Sequence, residues 1–188
     1  MSETLNDRPL RADARRNRER ILEAAREVFP VQGMQAQMDD VATTAGVGVG
    51  TVYRHFPTKE SLLTAIVSEK FARITEFAQE ALAEPAAWPA FVRMLERGGE
   101  LHAADAALQQ TLLIAPTTVW EAAKAEHPDL DVASAEIVRR AIAEGDMRAD
   151  FQAEEIGLVM CGVVATMARG FGDWRRHLEI VVDGIRAR

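Results

Sequence analysis

Cysteine is nearly absent from this sequence: Cys161 is the only one among 188 residues. A single cysteine excludes an internal disulfide framework and a cysteine-rich zinc site, and it favours a reducing cytoplasm. The sequence also lacks an uncharged apolar run of about 18 residues, so no membrane span is expected. Residues 1–10 are polar and show no apolar signal-peptide core. These absences predict a cytoplasmic protein with no membrane partner.

Signatures of catalysis and cofactor binding are missing as well. The sequence shows no serine–histidine–aspartate order, phosphate loop or dinucleotide fingerprint. Its four histidines are scattered, without the spacing of a metal site. We therefore expect a protein that is not an enzyme and that requires neither a metal nor another cofactor.

The composition favours an all-α globular protein. Hydrophobic residues make up 48% of the chain, and valine and isoleucine are scattered rather than grouped in alternating runs. Glycine and proline mostly occur singly, at positions that suit turns between helical segments. The length allows either one domain or a small module joined to a larger one.

A net charge of −7 argues against DNA binding if it is spread over the whole chain, so the positions of the charges have to be considered. Residues 1–60 contain nine Lys/Arg and nine Asp/Glu, so the whole negative excess lies in residues 61–188. DNA affinity depends on where the cations lie, not on their sum. Arginines cluster early in the chain, at Arg11, Arg15, Arg16, Arg18, Arg20 and Arg26. Taken alone, such a run indicates only a solvated helix face.

Apolar spacing, together with glycine and proline positions, predicts the helices. Pro30 is expected to end or kink the first helix, and Gly46 is placed for a left-handed helix stop. Thr58 is a good N-cap for a long fourth helix. The predicted helices are 13–29, 38–45, 49–55, 59–82, 90–101, 103–114, 118–125, 132–144, 153–169 and 174–185.

A short helix, a glycine turn and a second short helix form the unit that proteins use to read DNA. The second helix enters the major groove, so its outer face must be small or polar and its back apolar. Here Val47, Val52 and Phe56 supply the back. The outer face is predicted to comprise Val49, Gly50, Thr51, Tyr53 and Arg54.

Residues 46–63, G-V-G-V-G-T-V-Y-R-H-F-P-T-K-E-S-L-L, resemble the signature of the TetR family of transcriptional regulators. Residues 21–29 and 38–42 also match, so the resemblance covers about residues 16–63, and residues 144–151 resemble the link into the family's last two helices. It implies an all-α protein with two parts. Residues 1–57 would form the helix-turn-helix DNA-binding domain with its basic arm, and residues 58–188 a larger helical domain for effector binding and dimerisation.

Three positions depart from the family pattern. Gly48 stands where serine usually caps the recognition helix, Gln37 where threonine or serine often caps the second helix, and Pro30 where a small helix former is usual. Glycine at an N-cap costs only a few tenths of a kcal/mol. The fold should survive all three changes, although the orientation of a helix on DNA can alter.

Residue roles follow from the resemblance and from side-chain chemistry. Tyr53, His55 and Lys59 are expected to bind phosphates, and Thr51 to approach a base edge. The full expected DNA-binding set is Thr44, Val49, Gly50, Thr51, Tyr53, Arg54, His55 and Lys59, with Arg11, Arg15 and Arg16 along the backbone or in the minor groove. The alternative is structural: Tyr53 and His55 would pack against the first helix, and Lys59 would be an ordinary surface lysine.

The larger domain is expected to enclose an effector cavity and to pair with a second copy through its last two helices. The candidate cavity residues are Trp88, Phe91, Met94, Leu95, Leu112, Leu113, Trp120 and Met167. The candidate dimer residues are Val159, Val163, Val164, Leu178, Val181 and Val182. Plain core packing is the alternative for each cavity residue. Cys161 is expected to be a small buried packing residue.

Three functions remain in competition. The first is a homodimeric repressor that binds a double-stranded DNA operator and leaves it when an unidentified small apolar molecule binds. The second is a helical small-molecule binder that has lost DNA binding, against which the intact Tyr53, His55 and Lys59 argue. The third is a helical enzyme, which no acid–base pair or nucleophile supports.

Overall fold

The computed structural model describes residues 7–105, 109, 112, 115–170 and 172–188, with side chains from residue 12 onward. These residues form helices joined by short turns, and an isolated bridge pairs Met147 with Arg186. The predicted all-α class is confirmed. The helices are α1 (Asp7–Gln32), α2 (Met38–Ala45), α3 (Val49–His55), α4 (Lys59–Leu82), α5 (Ala87–Ala103), α6 (Thr117–Ala125), α7 (Pro128–Ala143), α8 (Glu155–Arg169) and α9 (Trp174–Ile185).

Local signals explain the boundaries of α2, α3 and α4, which agree with the predicted ones. Gly46 ends α2 in the left-handed conformation, with φ of 62°, which costs glycine little because it has no Cβ. At α4, the Thr58 hydroxyl accepts the Ser61 N–H and the Ser61 hydroxyl accepts the Thr58 N–H, each at 3.1 Å. This reciprocal pair satisfies two N–H groups that a helix start otherwise leaves free.

Prolines end fewer helices than the sequence analysis predicted. The prediction that the first helix ends at Pro30 is wrong, because α1 continues to Gln32, and a kink at Pro30 stays a prediction. Pro30 lies in the last turn, where its ring disturbs a single preceding carbonyl. Pro128 marks the predicted break between α6 and α7, and it also opens α7, so that helix starts before the predicted residue 132, since the first helical position needs no N–H donor. The predicted helix 103–114 lies mostly outside the described residues.

Two apolar cores hold the helices together. The first joins α1, α2 and α3 to the start of α4 and to α6, and its largest members include Phe29, Leu63 and Ile66. The second joins the end of α4 to α5, α7, α8 and α9. Because α4 contributes to both cores, it connects the N-terminal helices to the rest of the chain. A division at residue 57 stays a prediction.

The described residues include neither a membrane-spanning helix nor a cluster of metal-binding side chains. None of their helices has the length and hydropathy needed to cross a membrane. No group of three or more His, Cys, Asp or Glu side chains in the same residues is placed to hold a metal ion.

Candidate nucleic-acid interface and internal cavity

Helix α3 presents outward the face that the sequence analysis predicted. Its inner side is fixed by Val52, which is fully buried, and by Phe56 just after the helix. On its outer side Val49 and Tyr53 are 42% and 47% exposed, so both side chains are open to a partner. The remaining predicted contact residues are also accessible: Thr44, Gly50 and Arg54 are exposed, and Thr51 and His55 are half-buried.

The position of α3 depends on a contact that the sequence analysis missed. The Arg20 guanidinium on α1 donates to the carbonyl oxygens of Ala45 at 2.6 Å and Gly46 at 3.2 Å. A cation at a helix C-terminus stabilises the carbonyl groups that lack partners there. Arg20 therefore ties α1 to the turn between α2 and α3. No local pattern indicates a contact between residues 25 positions apart.

The other arginines of α1 fall into two groups. Arg15 and Arg16 are exposed, and among the residues with described side chains they pair with neighbours on the same helix, Glu19 and Asp13. Such exposed pairs are weak, so both guanidinium groups remain available to a phosphate. Two other arginines contact neighbouring elements: Arg26 pairs with Glu69 of α4, and the guanidinium of the exposed Arg18 lies 5.3 Å from the centre of the Phe56 ring. The side chain of Arg11 lies outside the described residues.

Lys59 begins α4 and already has an intramolecular partner. Its ammonium group donates to the Met34 carbonyl oxygen and lies 5.9 Å from the centre of the Phe29 ring. An ammonium has three N–H donors, so this bond leaves donors for a phosphate. Its contact with DNA stays a prediction. In the structure Lys59 also holds the start of α4 against the turn that follows α1.

A cavity of about 520 Å³ lies between α4, α5, α6, α7 and α8. Met94, Leu95 and Trp120 line it, as predicted. Four other candidates do not: Trp88 and Phe91 pack in the second core, Leu112 is buried in the first, and Met167 packs against the second. Leu113 lies outside the described residues. The apolar wall consists mainly of Val67, Phe71, Ile74, Met94, Leu95, Trp120, Leu130, Ile156, Met160 and Val164.

One part of the cavity wall is polar and buried. The Gln109 side-chain oxygen accepts hydrogen bonds from His102 Nδ1 at 2.7 Å and from Lys70 Nζ at 3.3 Å. Burial is the largest influence on the pKa of Lys70 and lowers it, while Asp105 raises it and Arg26 lowers it. Burial also lowers the pKa of His102, against the raising effect of its bond to Gln109. The sequence analysis identified none of these three residues as cavity residues.

Comparison with known proteins identifies the family. Residues 21–66 match the family model described as bacterial regulatory proteins, tetR family. A crystal structure of the TetR transcription regulatory protein from Mycobacterium vanbaalenii is 32% identical, with a TM-score of 0.60, over 95% of this chain and 100% of that one. This chain belongs to the TetR family of bacterial transcriptional regulators.

Further relatives of this TetR-family chain match it over different lengths. An HTH-type transcriptional regulator of Staphylococcus aureus strain MRSA252 is 38% identical over 87 residues, or 45% of each chain. The match thus spans less than half the length of that curated relative. FadR of Bacillus subtilis is 23% identical, covers 89% of this chain and 98% of its own, and has a TM-score of 0.72. At that identity, the likeness supports the fold.

In the last two helices of this TetR-family chain, the exposed residues are not the ones that were expected to form the dimer interface. Val163, Val164, Leu178 and Val182 are buried within the chain itself, so they offer little surface to a partner, and their assignment to a subunit interface stays a prediction. Val159 and Val181 are half-buried and pack against the second core. Exposed instead are Leu158, at 74%, and Ile180, at 55%.

A hydrogen bond and an exposed cysteine further describe α8 and α9 in this TetR-family chain. The Thr166 hydroxyl and His177 Nδ1 form a hydrogen bond of 2.7 Å between the two helices. Cys161 is exposed and lines the cavity, so the prediction that it is buried is wrong for a single chain. The outer surface of this helix pair therefore includes Leu158 and Ile180, and its inner surface completes the chain's own core.

Proposed function

We propose that this chain is a homodimeric repressor that binds an operator through α3 and leaves it when a small apolar ligand fills the cavity. This proposal rests on the fact that α4 reaches from the DNA-binding helices to the cavity. The helix starts at Lys59, beside the helix-turn-helix, and continues without a break into the cavity wall at Val67 and Phe71. One rigid element therefore joins the two sites.

The length of α4 makes a small movement at the cavity large at the DNA. Its 24 residues span about 36 Å at 1.5 Å per residue. A ligand that separates α4 from α6 or α7 would tilt α4 and displace α3 with it. In a dimer the two recognition helices must match half-sites about 34–36 Å apart or somewhat more, so a shift of a few ångströms weakens binding. Nothing has to unfold.

DNA binding itself is proposed from the accessible residues around α3. Tyr53, His55 and Lys59 would contact phosphates, and Thr51 with Val49 and Gly50 would approach base edges. Arg54 would reach a base or a phosphate, and Thr44, Arg15 and Arg16 would border the same surface. Helix α3 carries the exposed side chains of Val49 and Tyr53, and a DNA duplex against this face would cover both.

The apolar character of the ligand is proposed from the cavity wall and agrees with one relative. Phe71, Trp120 and Met160 provide flat and flexible apolar surface, and a volume of about 520 Å³ lies within the usual range for small-molecule sites. The structure of Bacillus subtilis FadR is of its complex with stearoyl-CoA. An acyl or aromatic body would suit the cavity of this chain.

The DNA-binding proposal is tested by changing one charge and one hydroxyl. Lys59→Gln keeps a donor for the Met34 carbonyl but removes the charge, so the slope of log K against log salt should fall by about one. Tyr53→Phe should weaken binding to every duplex alike, because phosphate contacts are not sequence-specific. Both are measured by fluorescence anisotropy on an operator selected from random duplexes. Lys124→Gln, an exposed lysine distant in the chain, is the matched control.

Thr51→Ala separates base recognition from phosphate contact. If Thr51 approaches a base edge, its variant should change the order of affinity among single-base operator variants by about 1–3 kcal/mol at one position. Equal losses on all variants would contradict a base contact. An unchanged affinity and salt slope for Lys59→Gln would remove Lys59 from the interface.

The regulatory proposal is tested by titrating in both directions. A ligand that stabilises the protein, chosen by thermal shift from linear alcohols, fatty acids and aromatic acids, should lower operator affinity by a factor of about 5–150. Operator DNA must then lower ligand affinity by the same factor, because coupling between two binding sites is reciprocal. Release of DNA with equal ligand affinity in both backgrounds would contradict coupling through α4 and would indicate competition or aggregation.

A further inference from the structure

The charged and polar residues of the cavity occupy two separate places. Lys124, Asp131, Glu154 and Cys161 are exposed and therefore mark the opening, where Lys124 pairs with Asp131 at 3.1 Å. His102 and Gln109 are 6% and 2% exposed, and with the half-buried Lys70 they form the inner polar end. Apolar side chains make up most of the remaining wall. A molecule that fills the cavity thus contacts an apolar surface as well as this buried polar group.

The inner polar end contains a cation without a contacting anion. Lys70 donates to the Gln109 oxygen, but no carboxylate of the described residues lies within the 4.0 Å of an ion pair with it. Asp105 affects Lys70 only through its more distant charge. A cation that is partly removed from water and has no direct counter-charge is costly. An ammonium retains two further N–H donors once one is used, and both would suit an oxyanion.

We propose that the effector of this regulator is a compact amphipathic monocarboxylate, whose carboxylate binds Lys70 and Gln109 and whose apolar body contacts Phe71, Trp120 and Met160. This inference rests on the proposed function and names the ligand class of the same site. The Gln109 oxygen accepts from Lys70 and His102, and the amide nitrogen of the same side chain is a donor that suits a carboxylate. One cation at the inner end matches one negative charge.

Other charged ligands fit less well. A phosphate dianion would leave one charge uncompensated in an apolar enclosure. A large polyanionic head would have to remain at the opening, where Asp131 and Glu154 are themselves negative. An amine would place a second cation beside Lys70. Burial lowers the pKa of Lys70, and an adjacent carboxylate opposes that shift by stabilising the charged ammonium.

The test compares ligands that differ only in their polar group. Octanoate, octan-1-ol and octylamine form one set, and 2-naphthoate and 2-naphthalenemethanol another. Binding to the full-length chain is measured by isothermal titration calorimetry. In the wild type, at least one acid should bind about tenfold or more tightly than its alcohol, which corresponds to about 1.4 kcal/mol, and octylamine should bind most weakly.

Lys70→Met should remove the acid preference while the alcohol still binds. This variant is expected to fold with a melting temperature at or above that of the wild type, because burial disfavours the Lys70 charge and Gln109 keeps its bond to His102. Lys124→Met, at the opening, should preserve the preference. The proposal is overturned if neither acid binds, if alcohols equal acids in the wild type, or if the acid preference survives in Lys70→Met.

Operator binding in the same titrations separates this inference from the regulatory proposal. Alcohols that release the operator as well as acids do would show that the cavity regulates DNA binding but that the carboxylate class is wrong. Acids that bind preferentially through Lys70 without changing operator affinity would support the class and contradict the regulation.

Discussion

Replacing Leu158 and Ile180 together by glutamate should produce monomers that no longer hold an operator. These are the exposed large apolar residues of α8 and α9, at 74% and 55%, whereas the valines that face inward from the same helices are buried. A pair of glutamates in an apolar interface would be desolvated without partners. Two linked half-site contacts commonly gain a factor of 10²–10⁴ over one, so operator affinity should fall by about 100-fold or more.

Sedimentation velocity and operator anisotropy measure the two effects on one preparation. Val132→Glu is the matched control, since Val132 of α7 is equally apolar and 69% exposed but lies outside the proposed interface. It should remain dimeric and bind DNA as the wild type does. Val164→Asp should instead unfold the chain, because Val164 is buried within it. A Leu158→Glu/Ile180→Glu protein that stays dimeric with full operator affinity would place the interface elsewhere.

The contrast between Leu158 and Val164 also shows where sequence reasoning stops. Helix α8 is apolar on most of its sides, so its periodicity does not say which side faces the chain's own core. Leu158 and Val164 are both apolar and differ only in what the rest of the chain places against them. The sequence pattern therefore does not separate the face toward a partner from the face toward the core, although it predicted the two helices close to their observed bounds.

The N-terminal helices were predictable because their signals are local. Gly46, Pro57 and Thr58 each act on the backbone within a few residues, and each set a boundary that the structure reproduces. The cavity depends instead on contacts between distant segments. Lys70 and Gln109 are 39 positions apart, and nothing in the sequence near either one indicates the other. Trp88 and Phe91 were predicted to line the cavity, but they pack in the core.

The turn between α2 and α3 offers the sharpest test of the helix-turn-helix geometry, and Gly46→Val should disrupt it. Gly46 has φ of 62°, and a Cβ placed there would lie 3.0 Å from the Arg20 guanidinium. The left-handed conformation costs a non-glycine residue about 1–2 kcal/mol, and a β-branched side chain suffers most. Relieving the strain would reorient α3 or release Arg20 from the Ala45 carbonyl.

Operator affinity of Gly46→Val should therefore fall by about 30-fold or more, the equivalent of about 2 kcal/mol, while the dimer and ligand binding by the cavity remain. Gly46→Asn separates the two causes of damage. Asparagine tolerates the left-handed conformation but still has a Cβ beside Arg20, so it should recover most of the affinity if backbone strain dominates.

Gly48→Ser is the control: the backbone there is extended, a Cβ meets nothing within 4 Å, and serine is a good N-cap. Gly48→Ser should bind at least as well as the wild type. Equal affinities for Gly46→Val and Gly48→Ser would mean that the α2–α3 turn does not set the DNA-binding geometry, and the role given to Arg20 would fail with it.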